Sequence, residues 1–363
     1  NNNTALGYTA LLLNTTGENN VAVGSQALDA NTTAAQNTAV GRSALGANTT
    51  GANNTAVGYA ALDANTTAND NTAVGVHCLG ANTTGTQHVA MGFNALDACT
   101  SGSSNVAIGY EALSGLTTAN HNTAVGKNAG MSNTTGGFNT VVGSNAMTSS
   151  STANNCTLVG YLAGQQITTG GANTALGMMA LYSTTTGTDN IAIGKQAGQD
   201  VSSGTNNMFF GLDAGRSNSP SGSVSSGSNA ICMGNNSHVS FGCRVSLTVT
   251  SDKRDKTDIA DFTHGLSWIN KLRPVTYRWD MRSHYEDGIP DGSKKEEKLN
   301  IGLIAQEEIE VEKEHGFANN KNDMLISTEN AEGNYGMEYE RLVPILINAV
   351  KELSVKVTAL EAG

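Results

Sequence analysis

Proline is nearly missing from this 363-residue sequence: there are four, and none precedes Pro220. Aromatic residues make up 5% and charged residues 14%, both low for a globular enzyme. With 42 glycines as well, such a composition describes a disordered chain unless a repeat organises it. No run of about 18 apolar residues occurs, which argues against membrane insertion. Cysteine is scarce. Cys78, Cys99, Cys156, Cys232 and Cys243 are odd in number and include no CxxC pair. A disulfide framework and a zinc site are therefore both unsupported, and no metal or cofactor is expected. Several of these cysteines stand where other repeats carry Ala or Asn, as small buried residues would. Positive charge is also short. The net charge is −11, and of 20 basic and 31 acidic residues, 5 and 9 lie before residue 251, leaving 15 and 22 after it. Neither part is basic, so nucleic acid is not an expected partner.

What the chain does have is a strict repeat. Glycines fall at 7, 24, 41, 58, 75, 92, 109, 126, 143, 160, 177, 194 and 211, each step being 17 residues. An apolar residue precedes every one, from Leu6, Val23 and Val40 to Phe210. Three residues after each stands Ala, replaced once, by Cys78. Asn stands four residues before most, as at Asn20, Asn37, Asn54, Asn71 and Asn105. Thr55-Ala56-Val57 suits a short strand. Asn48-Thr49-Thr50-Gly51 is turn chemistry, because Asn and Gly tolerate positive φ. Seventeen residues without a helix-length apolar face cannot fold alone, but stacked copies can. The expectation over 1–216 is a mainly β fold, a parallel β-solenoid (β-roll) of 17-residue coils rising about 4.8 Å each.

Ala fills two places per unit, so at about 25 cal/mol per Å² one coil buries little. Small residues let backbones approach closely, which suits three chains side by side, and a homotrimer is expected. The regular asparagines suit internal ladders between coils better than sugar contacts. The pairs Thr32-Thr33, Thr49-Thr50, Thr66-Thr67, Thr83-Thr84 and Thr117-Thr118 recur at the coil step. They suit turns that bond backbone, with an ice-binding threonine array as the alternative. Asp63, Asp97, Asp189 and Asp213 are scattered, which argues against the paired carboxylates of a glycan hydrolase. Over about residues 3–215 the Ala-Val/Ile-Gly-x-x-Ala core resembles the head repeats of trimeric autotransporter adhesins, although the period is longer here. The resemblance implies a trimeric left-handed β-roll with a binding role.

After Gly211 the step fails. Residues 217–228 are rich in Ser and Gly and suit a linker. Residues 229–234 make a last degenerate unit, and 245–250 alternate as a strand, so 217–250 is expected to be linker and neck. From Ser251 charges become frequent and Trp268 and Trp279 appear. Leu266, Ile269 and Leu272 have helical spacing that Pro274 ends. Strands are expected at 275–279, 300–305 and 324–327, and a helix at 306–315. At the end, Val343, Val350 and Val357 alternate with Leu346, Leu353 and Leu360 as the a/d seam of a parallel coiled coil. Val at a with Leu at d leans toward dimers in isolated peptides. A helix packed on its own domain is the other reading. Residues 251–363 thus read as a smaller α/β domain ending in a coiled-coil helix.

Four ordered motifs carry a second resemblance. They are Ser251-Asp252-x-Arg254-x-Lys256, Leu266-x-x-Ile269-x-x-Leu272-x-Pro274-Val275-x-Tyr277-x-Trp279, Ile301-Gly302-Leu303-Ile304-Ala305-Gln306-Glu307 and Tyr339-x-x-Leu342-x-Pro344. They are similar to the intramolecular chaperone auto-processing domain that ends phage endosialidases, tailspikes and neck-appendage proteins. The resemblance implies a domain that trimerises, templates the shaft and cuts itself off at the serine.

The residues also allow a chemical reading of their own. A serine needs a base to become a nucleophile. No Ser-His-Asp pattern exists, and His264 and His284 have no obvious partners. Lys256 lies five residues from Ser251, so a turn could bring its amine to the hydroxyl, and an amine taken out of water gives up its proton more readily. Ser251 and Lys256 are the catalytic candidates, Thr250 and Ser251 the scissile pair, and Asp252, Arg254 and Asp255 the supporting residues. A surface cluster in which Asp252, Arg254, Asp255 and Lys256 simply pair is the competing reading. The expected protein is a virion tail fibre or tailspike, a homotrimer that binds a host cell-surface glycan or protein receptor. Its serine peptidase would act once, on itself. A trimeric cell-surface adhesin with the same chaperone, and a chaperone that does not cleave, are the alternatives. Because the chain opens inside a repeat, it is expected to be a piece of a longer protein whose leader could have been lost.

Overall fold

The computed structural model describes residues 2–217, 219, 221–238, 242, 249–329 and 333–362. They form two compact units, Asn1–Ser237 and His238–Gly363.

In the first unit, fourteen three-residue strands from β1 (Thr4–Leu6) to β14 (Ile231–Met233) make one sheet in sequence order. Neighbours are parallel and in register, with Ala39 opposite Ala56 and Ala56 opposite Ala73. This is a parallel β-solenoid. From the second strand onward the middle residue is buried, so Ala39 is fully buried while Thr38 and Val40 are half-buried. The repeated glycine follows the strand for two reasons. Gly41 has φ 137°, and a Cβ there would lie 2.3 Å from the carbonyl oxygen of Gly58 in the next coil. Only glycine meets both conditions.

The expected positive φ at Asn48 and Gly51 is not found. The left-handed corners lie instead at residues with ordinary side chains, in one coil Ser43 (56°), Leu45 (51°) and Asn53 (59°). Each is held by a neighbouring coil. The amide of Ser43 donates to the carbonyl of Ser25 (2.9 Å), and that of Leu45 to Ala61 (3.0 Å). Stacking bonds offset a local cost of roughly 1–2 kcal/mol per left-handed residue.

Asparagines satisfy the interior. The amide N–H of Asn37 donates to Oδ1 of Asn20 (3.0 Å), and its Nδ2 donates to the carbonyl of Gly51 (2.9 Å). In a second column, Nδ2 of Asn65 donates to Oδ1 of Asn48 (2.9 Å). These side chains are buried, and buried amides require partners. The first threonine of each pair is also used internally, as Thr49 Oγ1 donates to the carbonyl of Thr66 (3.0 Å). Only the second, such as Thr50 or Thr67, is exposed. Ala and Leu from successive coils fill the rest of the interior. The core is narrow, yet one chain closes it, so a thin interior does not by itself call for neighbours.

From β13 (Met208–Phe210) to β14 the step is longer, with Met208 opposite Ile231. Ser202 Oγ donates to the carbonyl of Ser225, and Asn206 Nδ2 to Oδ1 of Asn229. Part of the Ser/Gly-rich stretch, from Ser225 to Ser228, thus rejoins the stack as a coil. Cys78, Cys99, Cys156 and Cys232 are buried free thiols. Cys243, and most of the strand expected at 245–250, lie outside the described residues.

The second unit contains α1 (Leu266–Ile269), β15 (Val275–Tyr277) antiparallel to β16 (Asn300–Gly302), and α2 (Ala305–Glu314). It continues with β17 (Ser327–Glu329) antiparallel to β18 (Tyr335–Met337), and α3 (Leu342–Glu361). The strand expected at 324–327 begins only at Ser327. The amides of Leu325 and Ile326 are taken by the carboxylate of Glu312 instead (2.6 and 3.1 Å). Trp268, Val311, Ile326 and Ile345 form the core. One face of α3 packs on its own unit, where Ile345 and Ala349 are buried, Asn348 Nδ2 donates to the carbonyl of Phe262, and Leu266 N–H donates to Glu352. The a/d residues Val343, Leu346, Val350, Leu353, Val357 and Leu360 are 46–82% exposed. The packed-helix reading thus describes one face of α3, and the a/d face is exposed in the single chain. No described helix is long and apolar enough to cross a membrane.

Candidate active site

Ser251 stands before a 3-10 turn at Lys253–Asp255. Asp252 caps the turn by accepting the amide of Arg254 (2.9 Å), and the amide of Lys256 closes it on the carbonyl of Lys253 (3.2 Å). The chain thereby reverses, and Lys256 Nζ donates a hydrogen bond to Ser251 Oγ at 2.7 Å. The carbonyl of Thr250 is covalently next to this pair.

Asp252 and Arg254 pair with each other, Nη2 to Oδ2 at 2.7 Å. The Arg254 guanidinium holds the Asp252 carboxyl below its usual range, and that carboxylate raises Arg254 in turn. Among the described residues no hydrogen bond joins Asp252, Arg254 or Asp255 to Ser251 or Lys256. The ion-pair cluster is therefore only half realised: Asp252 takes Arg254, and Lys256 turns to the serine. Ser251 and Lys256 are both exposed. A lysine accepts a serine proton only as the free amine, a form that burial favours.

The other motifs meet in the body of the unit. The amide of Leu303 donates to Tyr339 Oη (2.9 Å). A Cβ on Gly302 would lie 2.6 Å from Tyr339 Oη and 3.2 Å from Tyr277 Cε1, so glycine makes room for both rings. Arg273 Nε donates to Glu307 (3.0 Å). Two carboxylates next to these motifs went unnoticed in the sequence. Glu308 is buried and accepts from Trp268 Nε1 (2.9 Å), while Glu312 accepts three backbone amides and the hydroxyl of Ser327. Burial pushes Glu308 up to about 7, with Trp268 opposing and Glu312 adding. The only available signal was that Glu308 and Glu312 share the inward face of the helix with Val311. Among the described residues no group of three or more His, Cys, Asp or Glu is placed to hold a metal ion.

Residues 251–317 match a peptidase family described as the chaperone of endosialidase. The match opens on Ser251 and takes in the first three motifs, whereas Tyr339, Leu342 and Pro344 lie beyond it. No curated protein and no solved structure matches the chain. The chain thus joins a parallel β-solenoid to a C-terminal endosialidase-chaperone domain.

Proposed function

We propose that the chain is a homotrimeric viral tail fibre or tailspike whose C-terminal domain, 251–363, drives trimer folding and then cuts itself from the shaft and neck, 1–216 and 217–250. The bond from Lys256 Nζ to Ser251 Oγ, at the first residue of the matched segment, carries this reading. As the free amine, Lys256 takes the hydroxyl proton while Ser251 Oγ attacks the carbonyl carbon of Thr250. The Thr250–Ser251 C–N bond breaks, and its nitrogen leaves as the protonated amine of Ser251. Water then hydrolyses the ester, restoring the hydroxyl and freeing the Thr250 carboxylate. Asp252, Arg254 and Asp255 shape the turn that holds the pair.

Two surfaces support assembly. The first is the exposed a/d seam of α3. In a parallel, in-register coil, Lys356 at a g position would meet Glu361 at the following e position of a neighbour. The second is an apolar column on the outer face of the shaft strands, including Met91, Ile108, Leu176 and Ile193, all exposed in one chain. Because Ser251 and Lys256 are exposed too, the burial that frees the amine must come from neighbouring chains, so cleavage follows assembly. Early trimerisation raises the local concentration of shafts whose parallel contacts nucleate slowly. Removing the chaperone leaves a fibre that cannot retrace its folding path, which is kinetic stability. The shaft then binds a host surface glycan or protein, at the virion. A cell-surface adhesin with the same chaperone would use the same architecture.

The test compares the parent chain with Ser251→Ala and Lys256→Ala on denaturing gels, by intact mass and by sedimentation. The parent yields residues 1–250 and 251–363, and each variant stays whole as a trimer. A parent that remains whole in a well-formed trimer removes the peptidase and leaves the chaperone. A folded, elongated monomer removes both.

A further inference from the structure

Five residues after the repeated glycine, successive coils hold Asp29, Gly46, Asp63, Gly80 and Asp97. Later coils place Ser114, Met131, Thr148 and Gln165 there, all with side chains. Neither Gly46 nor Gly80 has a left-handed backbone, so conformation does not require glycine at either. What each omits is a side chain where a carboxylate lies. A Cβ on Gly80 would sit 2.7 Å from Oδ1 of Asp97, and one on Gly46 would sit 2.8 Å from Oδ1 of Asp63.

Beside Gly80 this omission opens a cleft of about 390 Å³ lined by Ser43, Tyr59, Asp63, His77 and Asp97. Tyr59 and His77 are exposed and pack edge to face, their centroids 5.1 Å apart. Asp63 and Asp97 are half-buried. Their backbone carbonyls accept from Ala47 and Ala81, and among the described residues neither side-chain carboxylate takes part in a hydrogen bond. Burial pushes both carboxyls up, Asp29 adds to this at Asp63, and His77 opposes it at both. Around Gly46 the positions of the two rings are taken by Ser25 and Ser43. The ring-walled cleft is therefore a local departure from the repeat.

We propose that this cleft binds a neutral saccharide. Asp63 and Asp97 stand two coils apart, about 9.6 Å along the stack, and offer unfilled acceptors to sugar hydroxyls. Tyr59 supplies an apolar ring for the C–H face of a sugar and a phenol at its edge. The cleft falls in the size range of small-ligand pockets, roughly 300–1,000 Å³. Asp63 and Asp97, offset by His77 and by Arg42, whose guanidinium lies 5.8 Å over the Tyr59 ring, disfavour sialic and uronic acids. The proposal deepens the reading of the shaft as receptor-binding and rests on it.

The test applies the labelled full chain to immobilised neutral, amino-sugar and sialylated oligosaccharides, and in parallel to a panel of bacterial cells. Gly80→Ser fills the cleft, Asp97→Asn keeps its shape, and circular-dichroism melting confirms that each variant is folded. The expected result is retention on neutral sugars, weakened at least tenfold in both variants. A parent that retains no neutral sugar or prefers sialylated ones, or a folded Gly80→Ser that binds like the parent, overturns the cleft. In those cases, cell binding by the parent leaves the attachment reading standing. A parent that binds neither sugars nor cells removes both.

Discussion

Trp268 Nε1 donates to Oε1 of Glu308 at 2.9 Å inside the C-terminal unit, while the other oxygen of that carboxylate is buried without a partner among the described residues. A carboxyl so placed is easier to keep neutral than charged. Its pKa rises from an ordinary 4.5 to about 7 in the folded chain. The folded state therefore binds the proton more tightly than the unfolded state. The contribution of this carboxyl to stability is full below about pH 4.5, falls as pH rises to 7, and is then level.

Glu308→Gln keeps an acceptor for Trp268 and removes the titration. At pH 8 the variant should be more stable by roughly 2 kcal/mol, with little difference at pH 4.5. Both tryptophans, Trp268 and Trp279, lie in this unit, so urea unfolding followed by fluorescence reads it selectively. Parallel pH profiles for parent and variant would refute the assignment.

His88 replaces an asparagine in the shaft ladder. Asn105 N–H donates to its Nδ1 (3.3 Å), and its Nε2 donates to the carbonyl of Gly102 (2.6 Å). The neutral ring thus mimics an amide, and a proton on Nδ1 would face another donor. Cys99, whose thiol burial pushes up to about 11, is the titratable side chain in contact with it. Burial lowers the His88 pKa. The unfolded chain takes its proton first, so stability is lost as pH falls below about 6.5. His88→Asn should narrow the gap in shaft melting temperature between pH 7.5 and pH 4.5, read by circular dichroism. An unchanged gap counts against this account.

Thr184 stands between Ile167 and Val201 at the same place in adjacent coils, and its hydroxyl is buried without a partner among the described residues. Thr184→Val preserves shape and removes that hydroxyl. A gain of about 1 kcal/mol is expected in shaft stability. A loss on thermal unfolding would show that the hydroxyl has a partner after all.

Lys356→Glu should weaken the proposed trimer by placing like charges together along the proposed coil, and adding Glu361→Lys should restore it. Sedimentation reads assembly, and gels read whether cleavage falls and returns with it. Full cleavage in a monomeric Lys356→Glu chain would separate the two events and contradict cleavage after assembly.

Coil length, strand position and the buried alanines were legible because one coil repeats thirteen times. The glycine that meets the carbonyl of the next coil cannot be replaced without breaking the stack. At Ser251–Lys256 spacing left two readings open, since five residues suffice to bring a lysine back to a serine but equally allow a surface cluster of ion pairs. The left-handed corners at Ser43, Leu45 and Asn53 were not legible, because the hydrogen bonds that hold them come from other coils. Glu308 was hidden for a similar reason, its burial depending on Trp268, 40 residues away.

By itself, then, the amino-acid sequence determined whatever local chemistry repeats or closes within a few residues: the 17-residue coil, the chaperone motifs and the heptad of α3. Tertiary structure alone decided which face of α3 its own unit covers. It also decided which aspartates share a cleft and which glutamate loses water. Burial and charge depend on groups distant along the chain, and only the folded backbone brings those together.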